Sequence, residues 1–338
     1  MRRLFGWMTA AMACMLLFMP QAVSRGVANG LSICVNAILP SLFPFFVLTE
    51  FWVQAGYAHR IGLMAAPLTK RLFHLPGTGA TAVILGMIGG YPMGAKTVAS
   101  LYEKGQLTND DAAQALFFCS NAGPSFLFGG IGVGVFQSVG MGFCLYLIHL
   151  FSAFLIGIIF RPKTCSEKPI VRETETPLPK AIVSSIRQGG MTAISVCVFV
   201  VFFSVLGSLF PFLTVSSGLL ELSRGADMLA ASNFPVEFKA IMASGFVGFG
   251  GLCVMVQTIS ILQEVQLSCR TYCIGKLLHA ILSMAITWLF LPYLPLSAPC
   301  FTQALPTCNI VLFRTMLLST LLLLFVKISS GKTGRNRI

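Results

Sequence analysis

Long apolar stretches separated by short polar ones dominate this chain. No Asp, Glu, Lys or Arg interrupts Leu4–Ser24, Gly26–Thr49, Leu72–Ala95, Ala112–Phe160, Gln188–Leu220, Ala240–Gln263, Leu277–Phe313 or Thr315–Val326. Most of these runs reach the ~20 residues that a helix needs to cross a bilayer, and Ala112–Phe160 has room for two passes. The pattern predicts an all-α, polytopic membrane protein with about eight transmembrane helices, at 4–24, 79–102, 112–135, 138–160, 187–213, 236–262, 271–294 and 308–327. The first is read as an uncleaved helix, because no convincing small-x-small cleavage site follows Pro20.

Two segments fit this scheme poorly. Gly30–Trp52 carries Pro40 and Pro44 four apart and Glu50 near its end, and Leu213–Phe234 is short and partly polar. Lys and Arg are retained on the cytoplasmic side of short loops. Arg2 and Arg3, the basic loop after Phe160, and the C-terminal Lys327, Lys332, Arg335 and Arg337 all share one side only if Gly30–Trp52 dips in and returns. It is therefore expected to be a re-entrant hairpin. Arg60, Lys70 and Arg71 then fall on the opposite side, against the rule.

The segment from Pro162 to Pro179, rich in Pro, Thr, Lys and Glu, reads as a polar linker. It sets the expected organisation: a membrane half at 1–160 with a first gate-like segment, a linker at 161–186, and a second membrane half at 187–338 with another gate-like segment. Gly89–Thr108 can be laid on Phe249–Ser268 at an offset of 160, matching Gly90 with Gly250, Gln106 with Gln266 and Leu107 with Leu267. Related halves with matching interrupted spans are a transporter pattern, with the site where the breaks meet.

Composition sharpens the class. The chain is 56% hydrophobic and 10% charged, with a mean hydropathy of +0.83, against about 25% charged residues in soluble proteins. About half of the 23 Lys and Arg residues behind the net charge of +12 lie at the termini and in one loop beside spans, so nucleic acid is not an expected partner and the lipid bilayer is. The eleven cysteines include no CxxC pair and lie mostly in apolar runs, where they act as small hydrophobes. No Ser-His-Asp set, carboxylate pair or metal cluster assembles, and no enzyme activity, cofactor or metal is expected. His149 and His279 read as packing residues in apolar runs.

Candidate chemistry sits at three breaks, because irregular backbone at membrane depth survives only when buried in protein or facing a wet cavity. In Gly89–Lys96, Pro92 has no N–H to donate, Gly94 admits close approach of another chain, and a helix restarting near Pro92 would aim free N–H groups at the break. That end suits an anion, and Lys96 one turn later adds a full charge. The alternative is that Lys96 snorkels to the surface and the glycines only pack helices. In Cys119–Gly134, Ser120, Asn121 and Ser125 surround Gly123-Pro124, either lining a polar site or satisfying a proline kink. Gly129–Gly134 reads as close helix packing, since it lacks the P-loop lysine. The third break is Ser244–Gln257. Glu50 is a coupling or gating candidate, or an interfacial residue beside Trp52, and Gln257 is a weaker candidate of the same kind.

At these motifs the chain resembles a known family. Leu39–Phe51 (LPSLFPFFVLTEF), Gly89–Thr108 (GGYPMGAKTVASLYEKGQLT), Phe117–Phe136 (FFCSNAGPSFLFGGIGVGVF) and Gly245–Leu262 are similar to the sporulation integral membrane protein YlbJ (SpoVV) family, within the nucleoside-recognition, or Gate, group. The resemblance implies a multi-pass protein that moves dipicolinic acid, a flat aromatic dianion, across the outer forespore membrane. Read from the breaks themselves, Lys96 is expected to complete an anion site, with Tyr91 stacking on a flat ring and Ser120 and Asn121 offering hydrogen bonds to a carboxylate. A Gate-group transporter of another solute, such as a nucleoside, and a non-transporting sporulation scaffold are the alternatives. A transporter needs a wet polar cavity at the breaks, whereas a scaffold packs them dry.

Overall fold

The computed structural model describes residues 2–163, 176–210 and 217–295. The expected span 308–327 and the basic residues Lys168 and Lys332 lie outside them. Every regular element among the described residues is helical. Five helical runs are long and apolar enough to cross a membrane: Pro20–Gln54, Val139–Ile159, Leu178–Leu209, Val236–Glu264 and Arg270–Tyr293. The chain is a multi-pass membrane protein.

The N-terminal region departs from expectation. The run 4–24 breaks at Met19, between α1 (Arg2–Phe18) and α2 (Pro20–Ile33). Gly30–Trp52 is not a re-entrant hairpin. It belongs to one continuous helical run, formed by α2, a π-helical stretch at Cys34–Ile38 and α3 (Leu39–Gln54). Pro40 lacks an N–H, and its ring crowds the preceding turn. The wider π turn, closed by Leu39 N–H to the Cys34 carbonyl, takes up that strain without ending the helix.

The sharp turn comes later. α4 (Tyr57–Phe73) meets α5 (Gly77–Gly89) at 97°. Both ends of α4 lie beside the linker. The N–H of Thr176 donates to the Gln54 carbonyl just before α4 (3.2 Å), and the His74 ring meets the Pro162 carbonyl just after it (2.6 Å). Arg161 donates to the Leu72 carbonyl at 3.3 Å. Both ends of α4 are therefore held at the linker end, with Arg60, Lys70 and Arg71 on the same side as Arg161 and Lys163. This reverses the sequence assignment of those three residues to the opposite side, and it agrees with the retention of positive charge on one face. Single cysteines placed at Lys70 and at Lys163, in a background lacking reactive native cysteines, are expected to be labelled from the same membrane face. Labelling from opposite faces would reject this arrangement.

Two more expected spans are divided. The stretch 79–102 is α5 and α6 (Met93–Glu103), separated at Gly90–Pro92. The stretch 112–135 is the end of α7 (Asn109–Leu116), an extended segment, a π-helical run Phe126–Val133 and the short α8 (Gly134–Phe136). α9 (Val139–Ile159) and the 32-residue α10 (Leu178–Leu209) follow. Beyond them come α11 (Ser217–Leu220), α12 (Leu222–Ala231), α13 (Val236–Phe249), α14 (Gly251–Glu264) and α15 (Arg270–Phe290).

Lipid tails are as apolar as leucine, so helices in a bilayer associate through close packing at small residues. α10 lies antiparallel along α2 and α3. A Cβ on Gly26 would sit 2.6 Å from the Val205 Cα, one on Gly30 2.7 Å from the Val201 Cα, and one on Gly189 2.8 Å from the Val47 backbone N. These contacts leave no space for a side chain. The element order also recurs: α2–α3, α4, α5, α6 and α7 begin about 160 residues before α10, α11, α13, α14 and α15. α5, α6, α7 and α9 pack with α13, α14 and α15 around the three backbone breaks.

Candidate functional site

All three breaks occur where glycine and proline marked them. α5 ends at Gly90, whose φ of +75° is open to glycine at little cost. The Tyr91–Pro92 peptide is cis, and α6 restarts at Met93 with Pro92 as its N-cap. The second break runs through Cys119–Gly123, and the helix resumes at Pro124. The Cys119 carbonyl wedges between Gly86 and Gly94, touching the place where a Cβ would stand on either. Gly94 thus has the close-approach role read from the sequence. The third break is Gly250–Gly251, both at φ near +80°, between α13 and α14.

The breaks converge on Lys276, which is 2% exposed on the second turn of α15. Its ammonium Nζ donates to the Tyr91 hydroxyl (2.6 Å) and the Ser120 carbonyl (3.0 Å), and reaches His279 Nδ1 at 3.4 Å. The Tyr91 hydroxyl donates in turn to the Val247 carbonyl (2.9 Å), and its ring packs against Gly250. One tyrosine and one lysine therefore tie the first, second and third breaks to α15.

Each neighbour of this lysine is placed as a hydrogen-bond acceptor. The Tyr91 proton is used on Val247, so its oxygen can only accept from Lys276. Ser120 contributes a carbonyl, which only accepts. His279 Nε2 lies 2.9 Å from the His149 carbonyl and must carry the proton there, so Nδ1 also accepts. Three acceptors suit the three N–H donors of an ammonium. None of the three is anionic. Among the described residues no carboxylate pairs with Lys276.

The histidines do more than pack. They stack at 4.3 Å, and His149 Nε2 accepts the Ala122 N–H at 3.1 Å, which leaves the proton on Nδ1. Among the described residues that buried donor has no hydrogen-bond partner, nor do Ser120 Oγ, Asn121 Oδ1 and Ser125 Oγ. Asn121 Nδ2 donates to the Phe118 carbonyl (2.9 Å), so half of its amide satisfies the broken backbone and half is left over. Tyr91 also borders a cavity of about 50 Å³ that is lined by Gly123, Phe126, Val196, Glu221 and Gln257. Gln257 Nε2 donates to the Val196 carbonyl across that cavity at 3.4 Å.

Lys96 is not part of this cluster. It ion-pairs with Glu50 on α3 and donates to Thr192 Oγ1 on α10 (2.9 Å). The expectation that Lys96, Tyr91, Ser120 and Asn121 enclose one ligand is corrected accordingly. Lys96 and Tyr91 flank the start of α6 and point to different neighbours. Sequence reading missed Lys276, Thr192 and the pairing of Glu50 with Lys96. The available signal for Lys276 was a lysine inside the span 271–294, three residues before a histidine and so on the same helix face.

The family comparison now adds to the geometry. The nucleoside-recognition (Gate) family model matches residues 36–141, which contain Glu50, the first two breaks and Lys96. The sporulation integral membrane protein YlbJ of Bacillus subtilis (strain 168) is 25% identical, covering 78% of this chain and 76% of that relative. The chain is similar to a sporulation membrane protein and carries a Gate region. The family resemblance read from the sequence holds, and neither match is to an enzyme family. No solved structure matches the chain.

Proposed function

We propose that the protein is a transporter of endospore formation that moves dipicolinate, a small aromatic dianion, across the outer forespore membrane. The observation that carries this reading is Lys276: a buried amine with three neutral acceptors and, among the described residues, no carboxylate, where three helix breaks meet. An ionisable group at membrane depth marks a solute or ion pathway by default, and here its sign calls for an anion. Ser120 Oγ, Asn121 Oδ1 and His149 Nδ1 offer further hydrogen bonds to carboxylate oxygens or to their water. The resemblance supplies the identity of the solute.

Two related halves, 1–160 and 187–338, joined by the linker 161–186, are the framework for this reading. The recurring element order and the antiparallel packing of α2–α3 on α10 support an inverted arrangement, which places a solute between equivalent broken helices. A nucleoside is the second reading, favoured by the description of the matched Gate region.

Uptake of dipicolinate by purified protein in liposomes tests the proposal, with uridine as competitor. Protein-dependent dipicolinate uptake that excess uridine leaves unchanged is the expected result. Uridine uptake blocked by unlabelled uridine, with no dipicolinate uptake, would replace it with the nucleoside reading. No uptake of either solute would favour a scaffold.

A further inference from the structure

A second charged site lies nearer the linker end. A cavity of about 80 Å³ is bounded by Glu50 on α3, His59 on α4, Thr78 and Thr81 on α5, Lys96 on α6 and Lys104 just after it. Glu50 is four residues from Gln54, whose carbonyl meets the linker, so this crevice lies about 6 Å from the end of α3. Lys96 of this lining pairs with its one carboxylate, Glu50. The Lys96 side chain is 34% exposed while that of Glu50 is 10% exposed. The cation is therefore the partner within reach of an incoming solute. Lys96 has three N–H donors and two protein partners, Glu50 and Thr192. The Thr192 hydroxyl spends its own proton on the Gln188 carbonyl (3.0 Å), so it only accepts from Lys96. One ammonium N–H is left for the crevice.

We infer that this crevice is an entry site for carboxylate-bearing solutes, in which Glu50 is a built-in stand-in for the solute carboxylate on Lys96. An arriving carboxylate takes the free N–H first and then displaces Glu50, one anion replacing another on the same cation. The exchange keeps Lys96 paired, and the displaced Glu50 carboxylate, only 10% exposed, must take up a proton or turn to water, because an unpaired buried charge is the costly event in such sites. It also loosens the tie between α3 and α6, linking solute arrival to movement of the helix that carries the first break. The inference rests on the anion-transport reading, extending it from the buried Lys276 to the mouth of the path.

The two residues should then act in opposite directions. Binding to full-length protein in lipid nanodiscs, with dipicolinate and isophthalate as probes, reads this out. Glu50→Gln removes the internal competitor and is expected to tighten binding of both probes by about ten-fold, while Lys96→Gln weakens it by at least about ten-fold. The exchanged pair, Glu50→Lys with Lys96→Glu, restores the tie but not the site, and is expected to fold without binding. Val53→Cys, at a residue lining the crevice, supplies a readout that leaves the pair intact: isophthalate is expected to slow its alkylation. If both single variants weaken binding alike and the exchanged pair restores it, the pair is a structural latch and the inference is overturned. Absence of isophthalate protection at Val53→Cys overturns it as well. If isophthalate obeys the opposite-sign pattern but dipicolinate is not transported, the entry site stands and the transport reading fails. Dipicolinate transport with unchanged binding in Glu50→Gln gives the converse.

Discussion

Replacing Lys276 by methionine is expected to lower dipicolinate uptake by about one to two orders of magnitude, with the protein still accumulating in the membrane. The loss follows from a charge-assisted hydrogen bond, contributing about 1.5–3 kcal/mol, that a bound carboxylate takes over from one of the three neutral acceptors of Lys276. Accumulation survives because two terms oppose each other. The Ser120 carbonyl and His279 Nδ1 lose their donor, at about 1–3 kcal/mol each. Against that, a buried cation whose desolvation costs several kcal/mol is gone. Lys276→Arg is not expected to restore uptake, because a planar fork of five donors does not match three converging acceptors around a compact ammonium. Near wild-type uptake by Lys276→Met, at matched protein level, would remove Lys276 from the pathway.

The second large effect concerns stability. Gly86 and Gly94 face the Cys119 carbonyl from two sides, and a Cβ on either would overlap it. The obstacle is backbone, held at the second break by the Cys119 N–H bond to the Ala115 carbonyl, so no flexible side chain can swing aside. Gly86→Ala and Gly94→Ala are each expected to cost about 3 kcal/mol, the upper end for overpacking a closed interior. Gly129→Ala is the control, since nothing lies within 4 Å of its added Cβ. Thermal unfolding in detergent compares the three: a clear drop for the first two and none for the third. Equal melting temperatures for all three would mean that the breaks are not packed this closely.

How much of this was legible beforehand depends on the range of each interaction. Glycine and proline act on their own backbone, so the breaks at Gly90–Pro92, Cys119–Gly123 and Gly250 could be read from sequence. The same local rule misled at Pro40 and Pro44, because a π turn and the close cover of α10 keep that helix continuous. The assignment of Arg60, Lys70 and Arg71 to the far side followed from that error. The partners of Lys276 lie 156 and 185 residues away, and those of Lys96 46 and 96 residues away. No periodicity or spacing encodes such pairings. They depend on how the broken helices face one another, which only the fold supplies. For the same reason, Lys96 and Tyr91, close in sequence, were read as one site, whereas their side chains bond to different neighbours.

The position of Lys276 also bears on how the protein is made. A chain enters the bilayer N-terminus first, and a lysine at the centre of a lone helix costs about 2.5–3.5 kcal/mol to insert. Tyr91 and Ser120 are synthesised long before α15, and His279 arrives on the same helix one turn away. The acceptors are thus already in the membrane when the cation leaves the translocation machinery. α15 can then settle against finished helices without showing its charge to lipid, and the order of synthesis itself guards the most costly step of assembly.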